Sequence, residues 1–174
     1  NANDALKAKL RSIWVQAGLA MKLKRKGVLM TADELAASET VPKVCLVSPP
    51  TQGGHISARY FTPQESHASL AVTGGCCLAA ACLIPGTTAH DIAQGVEPLT
   101  VHNTERAVAM ENPAGILRAR VFGCHDAEGG FAFPRVAYER NAQLYMDGFF
   151  RIYRLSNALM DKACSLKESF SVSP

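Results

Sequence analysis

The sequence predicts an α+β fold in which a mostly antiparallel sheet, long enough to curl, surrounds a central apolar helix. Residues 74–84 hold no charged side chain and no polar one beyond three cysteines, and a helix of that composition is satisfied in water only by burial on every face. Strand-like segments follow at 107–110, 116–122 and 131–138, with turn residues between them. That succession is typical of an antiparallel sheet.

The length and composition indicate a single globular domain over residues 1–174. Hydrophobic residues make up 48% of the chain and charged residues 19%, which excludes disordered, collagen-like and membrane-spanning classes. The first residue is Asn1 rather than Met. We therefore expect a cleavage product or one part of a longer protein.

The cysteines and histidines predict neither disulfides nor a metal site. The six cysteines show no regular spacing and no C-x-x-C pair, and the five histidines are scattered. This pattern favours buried, reduced thiols in a cytoplasmic protein over a disulfide scaffold or a zinc site.

The positive charge is concentrated near the amino terminus. The net charge is +3, and the first 27 residues hold seven basic residues against one acidic. Lys22, Lys24, Arg25 and Lys26 form the densest run. Because the run is short and has no aromatic neighbours, a solvated helix end is favoured over a nucleic-acid or membrane surface.

The first third of the chain predicts two helices. Apolar residues recur at helical spacing from Asn3 or Asp4 to near Gly27, which predicts an amphipathic helix with the basic run in its last turn. Thr31 and Glu34 have the spacing of a capping box and open a short second helix.

Two strands are predicted next. The apolar run 44–47 reads as a buried strand, and alternation over 56–61 indicates a half-buried one. Further along, a loop carries His90 and Asp91, and a last helix is expected at 155–166.

The apolar helix is expected to begin after Thr73-Gly74-Gly75 and to end at Pro85-Gly86. Its amino terminus presents unpaired N–H groups and the positive end of the helix dipole, which suit a carboxylate or phosphate. The alternative is a packing helix whose small residues allow close approach. The residues alone leave both interpretations open.

Five segments together resemble one family: 42–50, 56–61, 67–75, 84–87 and 112–115. They are similar to the carboxy-terminal half of the 2-methylaconitate, methylitaconate and oxalomesaconate isomerases, to which aconitate delta-isomerases are related. The resemblance implies the diaminopimelate-epimerase fold. In that fold two similar domains, each a curled sheet around a helix, hold the substrate between the helix amino termini.

The resemblance covers about residues 40–148 and implies an extra tail over 149–174. It also implies the residues that bind substrate: Thr73, Gly74, Gly75, Cys76, His67, Asn112, Ala114 and Gly115. No catalytic residue is expected here, because the family's proton-transferring cysteine and lysine lie on the other half and a threonine hydroxyl cannot serve as a general base.

Two positions depart from the family pattern. Cys76 replaces a glycine, and Asn112-Pro113-Ala114-Gly115 replaces a turn that more often reads His-Pro-Ser-Gly. A helix amino terminus would lower the pKa of the Cys76 thiol, although a small buried thiol is the favoured interpretation. His67 is expected either to face the cleft or to pack near the core.

Three arginines are candidates for pairing with substrate carboxylates: Arg59, Arg118 and Arg120. Each alternates with apolar residues along a predicted strand. An arginine in that position lies more often on a solvated face, which is the favoured interpretation.

The resemblance implies a cofactor-independent isomerase of an unsaturated polycarboxylate such as aconitate. The expected partners are that substrate and an amino-terminal domain of the same protein, with neither nucleic acid nor membrane. Two alternatives remain open. One is a non-catalytic binding domain that keeps the fold, and the other is an amino-acid epimerase or racemase, which threonine at the second cysteine position disfavours.

Overall fold

The computed structural model describes residues 4–140, 142–149 and 156–170 and confirms the α+β class. The helices are α1 (Asp4–Ala20), α2 (Ala32–Ala36), α3 (Val72–Ala81), α4 (Thr88–Ile92) and α5 (Asn157–Phe170). The strands are β1 (Lys24–Arg25), β2 (Val28–Leu29), β3 (Val44–Ser48), β4 (Ile56–Thr62), β5 (Glu65–Ser66), β6 (Thr104–Asn112), β7 (Gly115–His125) and β8 (Phe131–Tyr138).

The chain clusters into two compact units, residues 1–140 and 141–174. The first contains every described strand and helices α1 to α4, and the second contains α5. Helix α5 confirms the last predicted helix with bounds shifted toward the carboxy terminus. Among the described helices, none is both long and apolar enough to span a membrane.

The main sheet has the strand order β3-β4-β6-β7-β8, with β5 paired to the end of β4. All its pairings are antiparallel except the short parallel contact between β4 and β6, where Ile56 lies opposite Met110. A register irregularity between Phe122 and Cys124 interrupts the pairing of β7 with β8. The sequence-based expectation of a mostly antiparallel sheet is therefore confirmed.

The core lies between one face of this sheet and α3. Strand alternation turns Ile56, Ala58 and Tyr60 of β4 toward the helix, together with buried residues of β6 and β7. Leu78 and Ala79 are the helix residues that complete this cluster. Each large apolar side chain buried there contributes about 1.5–3 kcal/mol, so α3 is held mainly by its sheet-facing side.

Helix α3 differs from its prediction in bounds and burial. It begins at Val72 and ends at Ala81, before Pro85, with Cys82 as its C-cap. Its buried residues are Gly75, Leu78 and Ala79, whereas Val72 is 45% exposed. The expectation of burial on every face is wrong because the described part of the sheet covers only one side of the helix.

Helix α1 is shorter than predicted. It ends at Ala20, where the Leu23 N–H bonds to the carbonyl of Gly18 and Lys22 adopts a φ of 51°. The basic run therefore lies in the turn and small hairpin formed by β1 and β2, not in a last helical turn. The left-handed conformation of Lys22 explains the change, because a residue in that conformation closes the last turn of a helix.

The predicted loop around His90 and Asp91 is instead helix α4. Its N-cap is Thr87, whose hydroxyl accepts a bond from the His90 N–H at 3.1 Å. Threonine is a favoured N-cap, so the start signal was present in the sequence.

Glu111 is a buried carboxylate that holds the loop before β4. It is 2% exposed and accepts N–H bonds from Thr51 at 2.8 Å, Gln52 at 2.5 Å and Gly54 at 2.9 Å. Burial raises the pKa of Glu111, but these hydrogen bonds outweigh it and hold the pKa below the ordinary value of a glutamate. The charged carboxylate therefore fixes the connection between β3 and β4.

We expect Glu111→Gln to lower stability at pH 7, because an amide group would face N–H donors that need an acceptor. A folded-state pKa below the unfolded value stabilises the protein above the unfolded pKa, and this contribution disappears as pH falls through the folded pKa. The free energy of unfolding measured in urea should therefore fall as the pH drops below the ordinary pKa of a glutamate, about 4.3. The fall should be steeper in the wild type than in the variant. Glu65→Gln on exposed β5 is the control, and equal stability of Glu111→Gln and wild type at pH 7 would contradict this role.

Candidate functional site

The amino terminus of α3 is open to a ligand. Its N-cap, Ala71, is extended and makes no side-chain capping bond. Within residues 4–140, the N–H groups of Val72, Thr73 and Gly74 have no acceptor. Because Val72 and Thr73 are exposed, these donors and the positive end of the helix are accessible to a ligand from outside the chain.

This start corrects the set of donors that the sequence suggests. Gly75 donates its N–H to the carbonyl of Ala71 at 2.7 Å, and Cys76 lies inside the helix, where its N–H donates to a carbonyl of the preceding turn. Of the expected backbone donors Gly74, Gly75 and Cys76, only Gly74 is open. Val72 and Thr73 provide the other open N–H groups.

The two glycines allow close packing of tyrosine rings against α3. A Cβ at Gly74 would lie 2.5 Å from Tyr60 Cζ, and one at Gly75 would lie 2.9 Å from Tyr138 Cζ. Real side chains do not approach so closely. The small-residue interpretation of the helix therefore accounts for both glycines, and only Gly74 also offers an open N–H group.

A polar network joins the segment before α3 to the turn between β6 and β7. Ser69 Oγ donates to Asn112 Oδ1 at 3.2 Å, and the same oxygen accepts the Ala114 N–H at 3.0 Å. Asn112 Nδ2 donates to the Gly115 carbonyl at 2.8 Å. The structure thus brings Asn112, Ala114 and Gly115 together with the residues that lead into the helix.

His67 packs at the edge of this network. Its Nδ1 accepts the Ser69 N–H at 3.0 Å, so the neutral ring carries its proton on Nε2. The ring meets Tyr60 edge to face with centroids 5.9 Å apart. His67 is half-buried, which fits a positioning role for the segment that leads into α3.

The cysteines of the described chain are free, and burial opposes ionisation of three of them. Burial, with a smaller effect of Cys77, raises the pKa of the Cys76 thiol. Cys76 lies beyond the first turn, where the helix dipole has faded, so the expected lowering of its pKa is wrong. Burial also raises the pKa of Cys45 to about 11 and that of Cys82 to about 12.

Burial separates the cysteines into different classes. Cys82 is buried, whereas Cys77 and Cys164 are exposed. The expectation of buried thiols is therefore wrong for those two. Among the described residues, no cluster of histidine, cysteine, aspartate or glutamate is arranged to hold a metal ion.

The arginines singled out from the sequence lie on the sheet face away from α3, as the favoured interpretation held. Arg120 pairs with Glu139 at 3.1 Å and with Glu105 at 3.5 Å. Arg59 and Arg118 are exposed, on the face opposite the residues of β4 and β7 that pack toward the helix.

Two cavities formed by described residues lie elsewhere. One of about 730 Å³ lies between α1 and strands β3 to β5, next to Trp14 and Phe61. Another of about 310 Å³ reaches Asn112 from the side of β3. Neither is lined by Thr73 or Gly74, and at the start of α3 Thr73 is exposed and Gly74 is half-buried.

Several residues at this surface could not be predicted from the sequence. Ser69 is linked to Asn112 across 43 positions, and Tyr138 donates to the Leu70 carbonyl at 3.3 Å. Arg140 reaches the same carbonyl at 3.4 Å. Tyr138 and Arg140 are two positions apart, as residues on the same face of a strand are. Only the fold shows that this face is turned toward α3.

The mostly antiparallel sheet, the apolar helix packed on it and the open helix terminus fit a domain of the diaminopimelate-epimerase-like fold. Methylitaconate delta-isomerase, known from a crystal structure, is a structural neighbour with a TM-score of 0.57 and 19% sequence identity. The match covers 79% of this chain and 38% of that one. The fold that the sequence resemblance implied is thereby confirmed.

The chain belongs to the PrpF protein family, whose model matches residues 1–153. The match extends beyond residue 148 into the segment expected to be an extra tail. The resemblance to the methylaconitate, methylitaconate and oxalomesaconate isomerases is therefore confirmed at the level of the family.

Two relatives have names that state an activity. A (4E)-oxalomesaconate Delta-isomerase from Novosphingobium sp. is 32% identical over 85% of this chain and 36% of its own length. A 4-oxalomesaconate tautomerase from Pseudomonas putida is 33% identical over 78% of this chain and 34% of its own length. The chain thus spans about a third of the curated relatives that it matches.

Proposed function

We propose that this chain is the substrate-binding half of a cofactor-independent isomerase acting on an unsaturated polycarboxylate of the aconitate type. Its membership of a family with named isomerases supports the reaction class. The proposed partners are the polycarboxylate and an amino-terminal domain of the same protein. The scattered cysteine pattern keeps a cytoplasmic location as a prediction.

The observation that carries this proposal is the uncapped start of α3. The N–H groups of Val72, Thr73 and Gly74 converge at the positive end of the helix without an acceptor in residues 4–140. A carboxylate placed there gains charge-assisted hydrogen bonds. The Thr73 hydroxyl adds a further donor, and the bonded Ser69–Asn112 pair fixes the neighbouring turn.

The chemistry needs such donors. Isomerisation of an unsaturated polycarboxylate removes a proton from an allylic carbon and returns it at another carbon, through a dienolate. The negative charge of that intermediate spreads onto a carboxylate. Donors fixed before the reaction stabilise this charge more strongly than water does, because they need no reorganisation.

The base itself is assigned to the other half. Thr73 does not ionise near neutral pH, and the thiol of Cys76 has a raised pKa. An epimerase that works with one base on each face is less well supported for the same reasons. A non-catalytic binding domain would retain the carboxylate site and lack proton transfer, which separates it from the isomerase in the experiments below.

We expect Thr73→Val to weaken binding of tricarballylate, an unreactive tricarboxylate, by about 1.5–3 kcal/mol, the contribution of one hydrogen bond to a charged group. Valine keeps the shape of threonine and removes the hydroxyl. Calorimetric titration of the chain measures the effect, with substitution of the exposed Thr88 of α4, Thr88→Val, as the matched control. Unchanged affinity in Thr73→Val would remove the hydroxyl from the site.

A further inference from the structure

Arg140 lies beside the start of α3 without a carboxylate partner among the described residues. Its Nη2 is 3.4 Å from the carbonyl oxygen of Leu70, immediately before the N-cap Ala71. Its guanidinium carbon lies 5.2 Å from the centre of the Tyr138 ring. One long hydrogen bond leaves most of the five guanidinium donors available.

Strand alternation explains why this arginine faces the helix. Tyr138 packs against Gly75, and Arg140 follows two positions later on the same side. Glu139 points the opposite way and pairs with Arg120 at 3.1 Å. The acidic neighbour that could neutralise Arg140 is therefore held on the other face of the sheet.

The ring of Tyr138 fixes the position of the guanidinium. The tyrosine hydroxyl donates to the Leu70 carbonyl at 3.3 Å, and its ring is confined by the backbone of Gly75. Stacking on an aromatic ring orients an arginine and reduces the entropy lost when it binds an anion.

The arrangement places two positive features together. The guanidinium adjoins the segment that leads into the helix, and the helix contributes its own positive end. Within residues 4–140 neither the guanidinium nor the open N–H groups of Val72, Thr73 and Gly74 meet a carboxylate. An anion that contacts both the guanidinium and the open N–H groups would neutralise this positive charge.

We propose that Arg140 determines specificity by binding a second carboxylate of the same ligand whose first carboxylate lies at the start of α3. This inference rests on the proposed function and adds to it the residue that recognises the second carboxylate. The planar fork of arginine suits bidentate binding of a carboxylate. Arg140 is thus a selector for polycarboxylates and takes no part in proton transfer.

The test is calorimetric titration of the 174-residue chain with tricarballylate and with the monocarboxylate butyrate. We expect Arg140→Gln to weaken tricarballylate binding about 10- to 100-fold, the range expected when hydrogen bonds to a charged group are lost. Butyrate binding should change little, so the preference for the polycarboxylate falls. Arg140→Lys should restore part of the affinity, because it keeps the charge without the fork.

Arg135→Gln is the matched control. Arg135 also stacks on an aromatic ring, that of Phe122 at 5.5 Å, but it lies on the other face of β8. Thermal unfolding of each variant reports retained folding. Wild-type affinity in Arg140→Gln, or equal losses for both ligands, would overturn the assignment of Arg140 alone. Failure of the wild-type chain to bind either acid would instead overturn the proposed carboxylate site, and the inference with it.

Discussion

Replacing Gly74 by alanine is expected to destabilise the protein by about 1–3 kcal/mol, the usual cost of overpacking. Helix propensity alone predicts the opposite sign, since alanine exceeds glycine by about 1 kcal/mol inside a helix. The added Cβ would lie 2.5 Å from Tyr60 Cζ. Tyr60 is only 4% exposed and belongs to the core, so its ring has no free space into which it can move.

Urea unfolding measures this effect, and Cys77→Ala on the exposed side of α3 is the control. That substitution should change the free energy of unfolding by no more than about 0.5 kcal/mol. A Gly74→Ala protein as stable as the wild type would show that α3 does not approach β4 as closely as described. Because the added Cβ must displace the backbone of Gly74, which carries one of the open N–H groups, the variant should bind tricarballylate less tightly as well.

Turnover of cis-aconitate is expected only when an amino-terminal domain of this family precedes the chain. Positioned acid–base groups contribute about 100- to 10,000-fold to such reactions, and we assign those groups to the other half. The 174-residue chain alone should therefore show no isomerisation above buffer. Proton NMR in heavy water measures both product and deuterium incorporation at the allylic carbon.

The joined protein carrying Thr73→Val is the control in that experiment, because it keeps the assigned bases and loses one substrate contact. It should exchange the allylic proton with a raised Michaelis constant. Robust isomerisation by the isolated chain would reverse the assignment of roles. Tricarboxylate binding by the joined protein without any exchange would identify a non-catalytic binding domain.

The sheet could be predicted from the sequence because strand alternation depends on local pattern. Ile56, Ala58 and Tyr60 alternate with polar positions, and all three are buried on the side of α3. The bounds of α3 were less predictable. A Thr-Gly-Gly sequence usually breaks a helix, yet Gly74 and Gly75 are helical here. Tyrosine rings occupy the space where their side chains would lie, which explains why both residues are glycine.

The candidate site could be predicted in part. Asn112, Ala114 and Gly115 share one turn, and that turn meets the segment before α3. Local sequence carries no record of contacts across distant positions. The role of Arg140 therefore could not be predicted from the sequence, since its contact with Leu70 joins positions 70 residues apart.

The central claim is that the uncapped start of α3 binds a carboxylate. Titrating tricarballylate into the isotopically labelled chain while following backbone amide resonances by NMR tests it most directly. We predict saturable shifts centred on Val72, Thr73 and Gly74, with smaller shifts at Gly75 and Cys76, whose N–H groups are bonded within the helix. Absence of binding, or shifts confined to the cavity beside Trp14, would contradict the account.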